Sequence, residues 1–158
     1  MKKCTICFEN KKVTEFYKWG GGKSGMRPSC KICHRNVKAI SESTPEGFAK
    51  YLFAISKNNA NQRDLSHNIS VEDLRHLYLK HDGKCVLSGI KMTYDRHLEC
   101  KGKSDKSFYN MSVDRIDNNK GYEKDNIQLV CLAANLIKLD WSTQEFFEIC
   151  KNVSKYHS

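Results

Sequence analysis

No apolar run in the sequence approaches the roughly 20 residues that a membrane-spanning helix needs. The opening Met1-Lys2-Lys3-Cys4 leads into no apolar h-region, so no secretory signal is expected. Apolar residues are scarce at 39%, and mean hydropathy is −0.64. Acidic residues are also few, 18 against 27 basic ones, which leaves a formal charge of +9 and a pI near 9.1. Membrane, secreted and low-complexity classes are thereby disfavoured. What remains is an intracellular protein of 158 residues, one average domain or two small ones. Its charge favours an anionic partner, most simply a nucleic acid.

The charge is uneven. Residues 1–40 hold ten Lys or Arg against Glu9 and Glu15, whereas residues 41–69 balance and residues 70–158 carry 14 basic against 13 acidic side chains. A solvated lysine-rich face would account for this. So would a phosphate-binding module attached to a nearly neutral domain.

Cysteine spacing favours the module. Cys4-Thr5-Ile6-Cys7 and Cys30-Lys31-Ile32-Cys33 are two C-x-x-C knuckles separated by 22 residues. Two residues between thiolates let both sulfurs reach one ion from a tight turn, and two such turns complete a tetrahedral zinc site. The segment between them, with Phe16, Tyr17, Trp19 and Gly20-Gly21-Gly22, is too short and polar to bury a core of its own. Zinc would then supply much of its folding energy. A redox role for paired knuckles lacks the expected βαβ context. His34 adjoins the last cysteine, but four sulfurs already satisfy zinc, which leaves it a surface or phosphate-facing residue. Cys85, Cys131 and Cys150 read as buried small apolar residues, and Cys100 as a partly exposed thiol in a polar loop.

The chain predicts an α+β protein. Thr44-Pro45 opens a connecting helix to about Arg63, with Phe48, Leu52 and Ile55 at helical spacing. A polar stretch, 64–69, follows. Ser70 and Asp73 form a capping box for a helix that Asp82-Gly83 ends. Residues 84–90 suggest a short strand or knuckle, and 95–110 a polar loop. Residues 111–117 and 127–131 read as strands around an Asn118-Asn119-Lys120-Gly121 turn, followed by a short helix over 133–139. Ser142 and Glu145 cap a final helix whose apolar face (Phe146, Phe147, Ile149, Cys150, Val153) suits docking. These elements divide into a basic zinc module over 1–40, a helical connector over 41–69 and a second domain over 70–158. No internal repeat appears beyond the paired knuckles.

The chemistry concentrates between Ser112 and Lys138, SVDRIDNNKGYEKDNIQLVCLAANLIK. A two-stranded ribbon packed on a helix brings its first strand and its helix together. Asp114 and Asn135 could then offer two oxygens to one hard divalent cation, leaving positions for water and a phosphate. Asp and Asn are also common in turns, which is the plainer reading.

The segment resembles the ββα-metal finger of HNH endonucleases. Val113, Asp114, Ile116, Gly121, Asn126, Leu129, Cys131, Asn135 and Lys138 carry the likeness, which extends over roughly 70–150. The basic double-knuckle N-terminus also resembles zinc modules found on phage and large-virus HNH proteins. The resemblance implies that Asp114 and Asn135 bind Mg²⁺ or Mn²⁺, and that Asn126 braces the loop through backbone hydrogen bonds. It also places Cys85/Ser88 and Cys131/Ala134 where many family members hold a second zinc, here short of two sulfurs.

The family's general base, a His after the metal-binding Asp, is replaced by Arg115. Arginine holds its proton and cannot serve as a base. It is suited to a bidentate contact with the scissile phosphate. Tyr122 and His97 are then the candidate bases; Tyr122 must shed its phenolic proton, which nearby Arg115 and a metal ion favour. Tyr122 could equally be a ring packed over the Gly121 turn. Asp117, three positions from Asp114, suits a turn with Asn118 better than metal ligation.

The resulting expectation is a divalent-ion-dependent endonuclease acting on double-stranded DNA in a homing- or restriction-like manner, with one structural zinc. A monomer that nicks one strand and a homodimer that cuts both are equally compatible with the sequence. The alternative is a DNA-binding protein that has lost catalysis on the same scaffold.

Overall fold

The computed structural model of the chain describes residues 1–21, 24–95 and 108–158. His97 and Cys100 lie outside the described residues. The architecture is α+β, with three two-stranded antiparallel sheets and five α-helices among the described residues. No described helix is long and apolar enough to cross a membrane.

The N-terminal part is two small ribbons and a helix. Strand β1 (Lys2–Lys3) pairs with β2 (Asn10–Lys11), and β3 (Phe16–Lys18) with β4 (Met26–Cys30). Helix α1 (Lys31–Glu42) begins within the second knuckle, Cys30 standing just before its first turn. The buried apolar cluster around the knuckles is small: Cys4, Phe16 and Cys30, with Cys7, Met26 and Cys33 against it. So few groups cannot offset the entropy of ordering some 40 residues at about 1–2 kcal/mol each.

Helix α2 (Pro45–Gln62) starts as the sequence predicts: the Thr44 hydroxyl accepts the Gly47 N–H at 3.0 Å, with proline at the first helical position. Helix α3 (Val71–Lys80) and helix α5 (Thr143–His157) both open on capping boxes, Ser70/Asp73 and Ser142/Glu145. Strands β5 (Met111–Arg115) and β6 (Ile127–Cys131) pair in register, Asp114 opposite Gln128, and helix α4 (Leu132–Lys138) leaves directly from β6. Phe48, Ala49, Leu52 and Ala60 of α2 join Leu74, Cys85, Met92, Met111, Leu129, Val130 and Cys131 in one core. Helix α2 is thus part of the packing around the β5–β6 ribbon.

Cys85 and Cys131 are buried, as their apolar surroundings suggest. Cys150 is exposed, contrary to expectation. Of the apolar residues on α5 only Phe146, in the first turn, is buried.

Candidate active site

The four knuckle cysteines converge. Their sulfurs lie within 4.8 Å of one another. Backbone N–H groups of Ile6 and Cys30 point at the Cys4 sulfur, at 3.4 and 3.3 Å. Burial works against a Cys4 thiolate, but hydrogen bonds from Cys30, Cys7 and Ile6 win and hold the thiol at about 6. Cys33 is pushed up to about 12 by burial and by neighbouring thiols. Four soft donors in this arrangement fit zinc.

A second site is a cleft of about 330 Å³ between α2, β5 and the start of the α4–α5 turn. Ser56, Asn59, Arg63, Asp114, Arg115, Tyr122 and Asn135 are among its lining residues. Asp114 and Asn135, predicted from their spacing to face one another, do line the same cleft. The Asn135 amide donates to the Ser112 hydroxyl at 2.8 Å and to the Val113 carbonyl at 3.3 Å. With its nitrogen committed to β5, the side-chain oxygen is the atom left for a ligand.

Asp114 has partners that the sequence does not announce. Its carboxylate accepts from Gln128 Nε2 at 2.8 Å and lies 3.4 Å from the ammonium of Lys138, which is fully buried. Lys138 also donates to the Arg115 carbonyl at 3.3 Å. Both contacts of the ammonium are long for charge-assisted bonds, and a carboxylate has acceptor capacity beyond two donors. One carboxylate and one amide oxygen are hard donors that suit a Mg²⁺-like ion in a site completed by water and phosphate. The donor set therefore fits such an ion, in competition with Lys138.

Arg115 occupies the position after Asp114 and is buried. Its Nη1 donates to the carbonyls of Asn118 and Lys120, at 2.8 and 2.7 Å, and its guanidinium lies 5.6 Å from the centre of the Tyr122 ring. Asn126 ties the same loop: it accepts from the Asp117 N–H at 2.9 Å and donates to the carbonyls of Asp117 and Gly121, at 3.0 and 2.9 Å. Asp117 caps its own turn by accepting the Asn119 N–H, as an Asx turn does.

Tyr122 is buried, and its backbone is held by the 64–69 stretch. Its N–H donates to the Ser66 carbonyl and its own carbonyl accepts the Asn68 N–H, each at 2.9 Å. Gly121 permits this approach, since any Cβ there would run into Ser66. The Glu123 carboxylate closes the clasp by accepting from the Ser66 hydroxyl and, through both its oxygens, from Asn68 Nδ2. These bonds, to the Ser66 hydroxyl first and then to Asn68, hold the Glu123 carboxyl below its usual range.

Sequence reasoning passed over His67. Its ring centre lies 5.6 Å from that of Tyr122, and Nε2 is 2.9 Å from the Ser56 hydroxyl on the cleft wall. Burial, followed by nearby Lys57, lowers the imidazole below its ordinary value, so it is neutral at neutral pH. A lone histidine in the polar stretch 64–69 carries no signal of its own; only the chain crossing at Gly121 brings it to Tyr122.

The other knuckle-like place keeps its geometry without its ligands. Cys85 and Cys131 are joined by Ser88, whose hydroxyl lies 3.7 Å from the Cys131 sulfur. Burial would raise the Cys85 thiol, yet Ser88 and backbone N–H groups of Cys131, Ser88 and Leu87 lower it overall.

Neither a family model nor a curated protein matches the sequence. Among solved structures, the fold is similar to that of the rare-cutting HNH restriction endonuclease PacI, at 22% identity and a TM-score of 0.45, over 99% of this chain and 95% of that one.

Proposed function

We propose that the chain is a divalent-ion-dependent DNA endonuclease of the HNH type. The observation that carries this reading is the shared cleft of Asp114, Asn135, Arg115 and Tyr122. The likeness of 112–138 to the ββα-metal finger supports it. Asp114 and Asn135 would hold the ion, which when bound supplies charge to stabilise the leaving oxygen. The remaining guanidinium N–H groups of Arg115 would bind the scissile phosphate and stabilise its transition-state charge. Tyr122, as phenolate, would take the proton of the attacking water at its phenolic oxygen, on the ring that Arg115 approaches to 5.6 Å. His67 and the Ser66–Glu123 clasp would act as positioning residues for that ring. The basic zinc module would contribute phosphate contacts.

A second reading has its own observation. Lys138 already neutralises Asp114, as would suit a DNA-binding protein without catalysis. Supercoiled plasmid with Mg²⁺ or Mn²⁺, beside EDTA and Asp114→Ala controls, separates the two. Conversion to open-circle or linear form by the wild type alone supports the nuclease. Gel-shift binding with the plasmid left supercoiled across metals and pH supports the second reading.

A further inference from the structure

Backbone conformation singles out two side chains. Among the described residues, four non-glycine residues have positive φ: Phe8, Asp64, Asp82 and Leu139. Aspartate tolerates this region because its short polar side chain can bond locally. A bulky apolar side chain has no such compensation.

Leu139 is the more extreme, with φ 49° and ψ −124°. It occupies the second position of a four-residue turn closed by the Trp141 N–H on the Lys138 carbonyl, at 3.0 Å. That combination is the first central position of a II′ turn, which favours glycine. Its N–H donates to the Asn135 carbonyl at 3.2 Å and its carbonyl accepts from Asn118 Nδ2 at 3.4 Å. Glycine would make both bonds as well, so the backbone gives no reason for leucine. Nor does packing, since Leu139 is 65% exposed. What the residue does have is a place on the wall of the cleft, among Asp114, Arg115, Asn135 and Arg63.

Phe8 repeats the pattern at the other end of the chain. It follows Cys7 in the first knuckle with φ 60° and is 68% exposed. Its N–H closes the knuckle on the Cys4 carbonyl at 3.1 Å, again a bond that glycine would make. The paired strands behind it carry Lys2, Lys3 and Lys11. Strained backbone that neither packing nor hydrogen bonding explains points to a ligand contact.

We propose that Leu139 presses on the sugar–base face of the nucleotide whose phosphate occupies the cleft, and that Phe8 stacks against DNA beside the lysines of the zinc module. The inference rests on the nuclease reading. An exposed apolar side chain that shares a cleft with Arg63, Arg115 and Asn135 matches a nucleoside next to its phosphate. The cations at both places, Arg63 and Arg115 in the cleft and the lysines of the paired strands near Phe8, favour a phosphate-bearing partner.

The test compares Leu139→Gly, Leu139→Met and Phe8→Gly in the zinc-loaded full chain. Both glycine variants are expected to melt at the wild-type temperature or above it. Leu139→Gly should raise the KM for plasmid nicking about tenfold while kcat stays within about threefold, and Leu139→Met should restore KM to within about threefold. Phe8→Gly should weaken binding to a short duplex, measured in Ca²⁺ by anisotropy, by about tenfold. Glycine variants with wild-type KM and affinity would overturn the proposal. So would glycine variants that melt lower, because the conformation would then serve packing. A wild type that cuts while these variants behave normally removes this inference alone. A wild type that neither cuts nor binds DNA removes the nuclease reading and this inference with it.

Discussion

The chain builds the same knuckle geometry twice and stabilises it in two ways. Around Cys4, Cys7, Cys30 and Cys33 there are four sulfurs and almost no core. Around Cys85, Ser88, Cys131 and Ala134 there are two sulfurs, and both cysteines belong to a core that also draws on α2 and β6. In each place backbone N–H groups lower the thiol of the first cysteine, Cys4 or Cys85, against the opposing effect of burial. Metal ligation and apolar burial would thus be interchangeable supports for one turn. Where α2 lays Phe48 and Leu52 against the ribbon, apolar packing can take the place of a metal; where the knuckle cluster buries little besides Phe16, a metal would have to supply the support.

The largest effect expected from this contrast is on zinc removal. A strong chelator should unfold residues 1–40 while leaving β5, β6 and α2 protected in hydrogen exchange, since structural zinc supplies about 10–16 kcal/mol to modules of this kind. Loss of protection across the whole chain would show that the two supports are not independent. Zinc content of the wild type should be one ion per chain, and Ser88→Cys combined with Ala134→Cys should raise it to two, measured by mass spectrometry of the native protein. Failure to take up the second ion would mean that the second turn has lost more than its ligands.

Next in size is the buried ion pair. Lys138→Ala leaves Asp114 buried without a counter-charge and should cost about 3–5 kcal/mol in a urea titration. Leu129→Ala, at a fully buried β6 position, should cost about 2–5 kcal/mol. Together these test whether the second region is held by its core and by the buried Lys138–Asp114 pair.

Much of this was legible because it is local. The capping boxes at Ser70 and Ser142, the Thr44-Pro45 helix start and the 127–131 strand each follow from a few adjacent residues. Two zinc knuckles can be read from spacing alone. What escaped depends on distant partners. Helix α1 grows from a knuckle and shows no independent start signal. The burial of Lys138 depends on β5 crossing α4, and the role of the 64–69 stretch depends on Ser66 meeting Gly121. Cys150 looked buried because an amphipathic stripe implies a covering surface, but the fold brings none to it among the described residues.

Smaller effects surround Tyr122. Tyr122→Phe should slow nicking at least about tenfold with DNA affinity intact, in the range typical of a lost general base. Unchanged cleavage would remove Tyr122 from the mechanism. His67 gives the mildest signature. Its folded imidazole titrates lower than the unfolded one, so its neutral form contributes stability that is complete above about pH 6.5 and is lost as pH falls through the folded value. The wild-type melting temperature should therefore drop on acidification below about pH 6, and His67→Gln should flatten that drop relative to wild type. An identical pH profile in the variant would show that His67 is not the group responsible.

The central claim is that the cleft is a divalent-ion site in spite of Lys138. Mn²⁺ titration followed by electron paramagnetic resonance, in zinc-loaded protein with a short duplex present, tests it most directly. The account predicts one bound Mn²⁺ per chain, lost in both Asp114→Ala and Asn135→Ala. Equal Mn²⁺ binding by wild type and the two variants, or none by any of them, would contradict it.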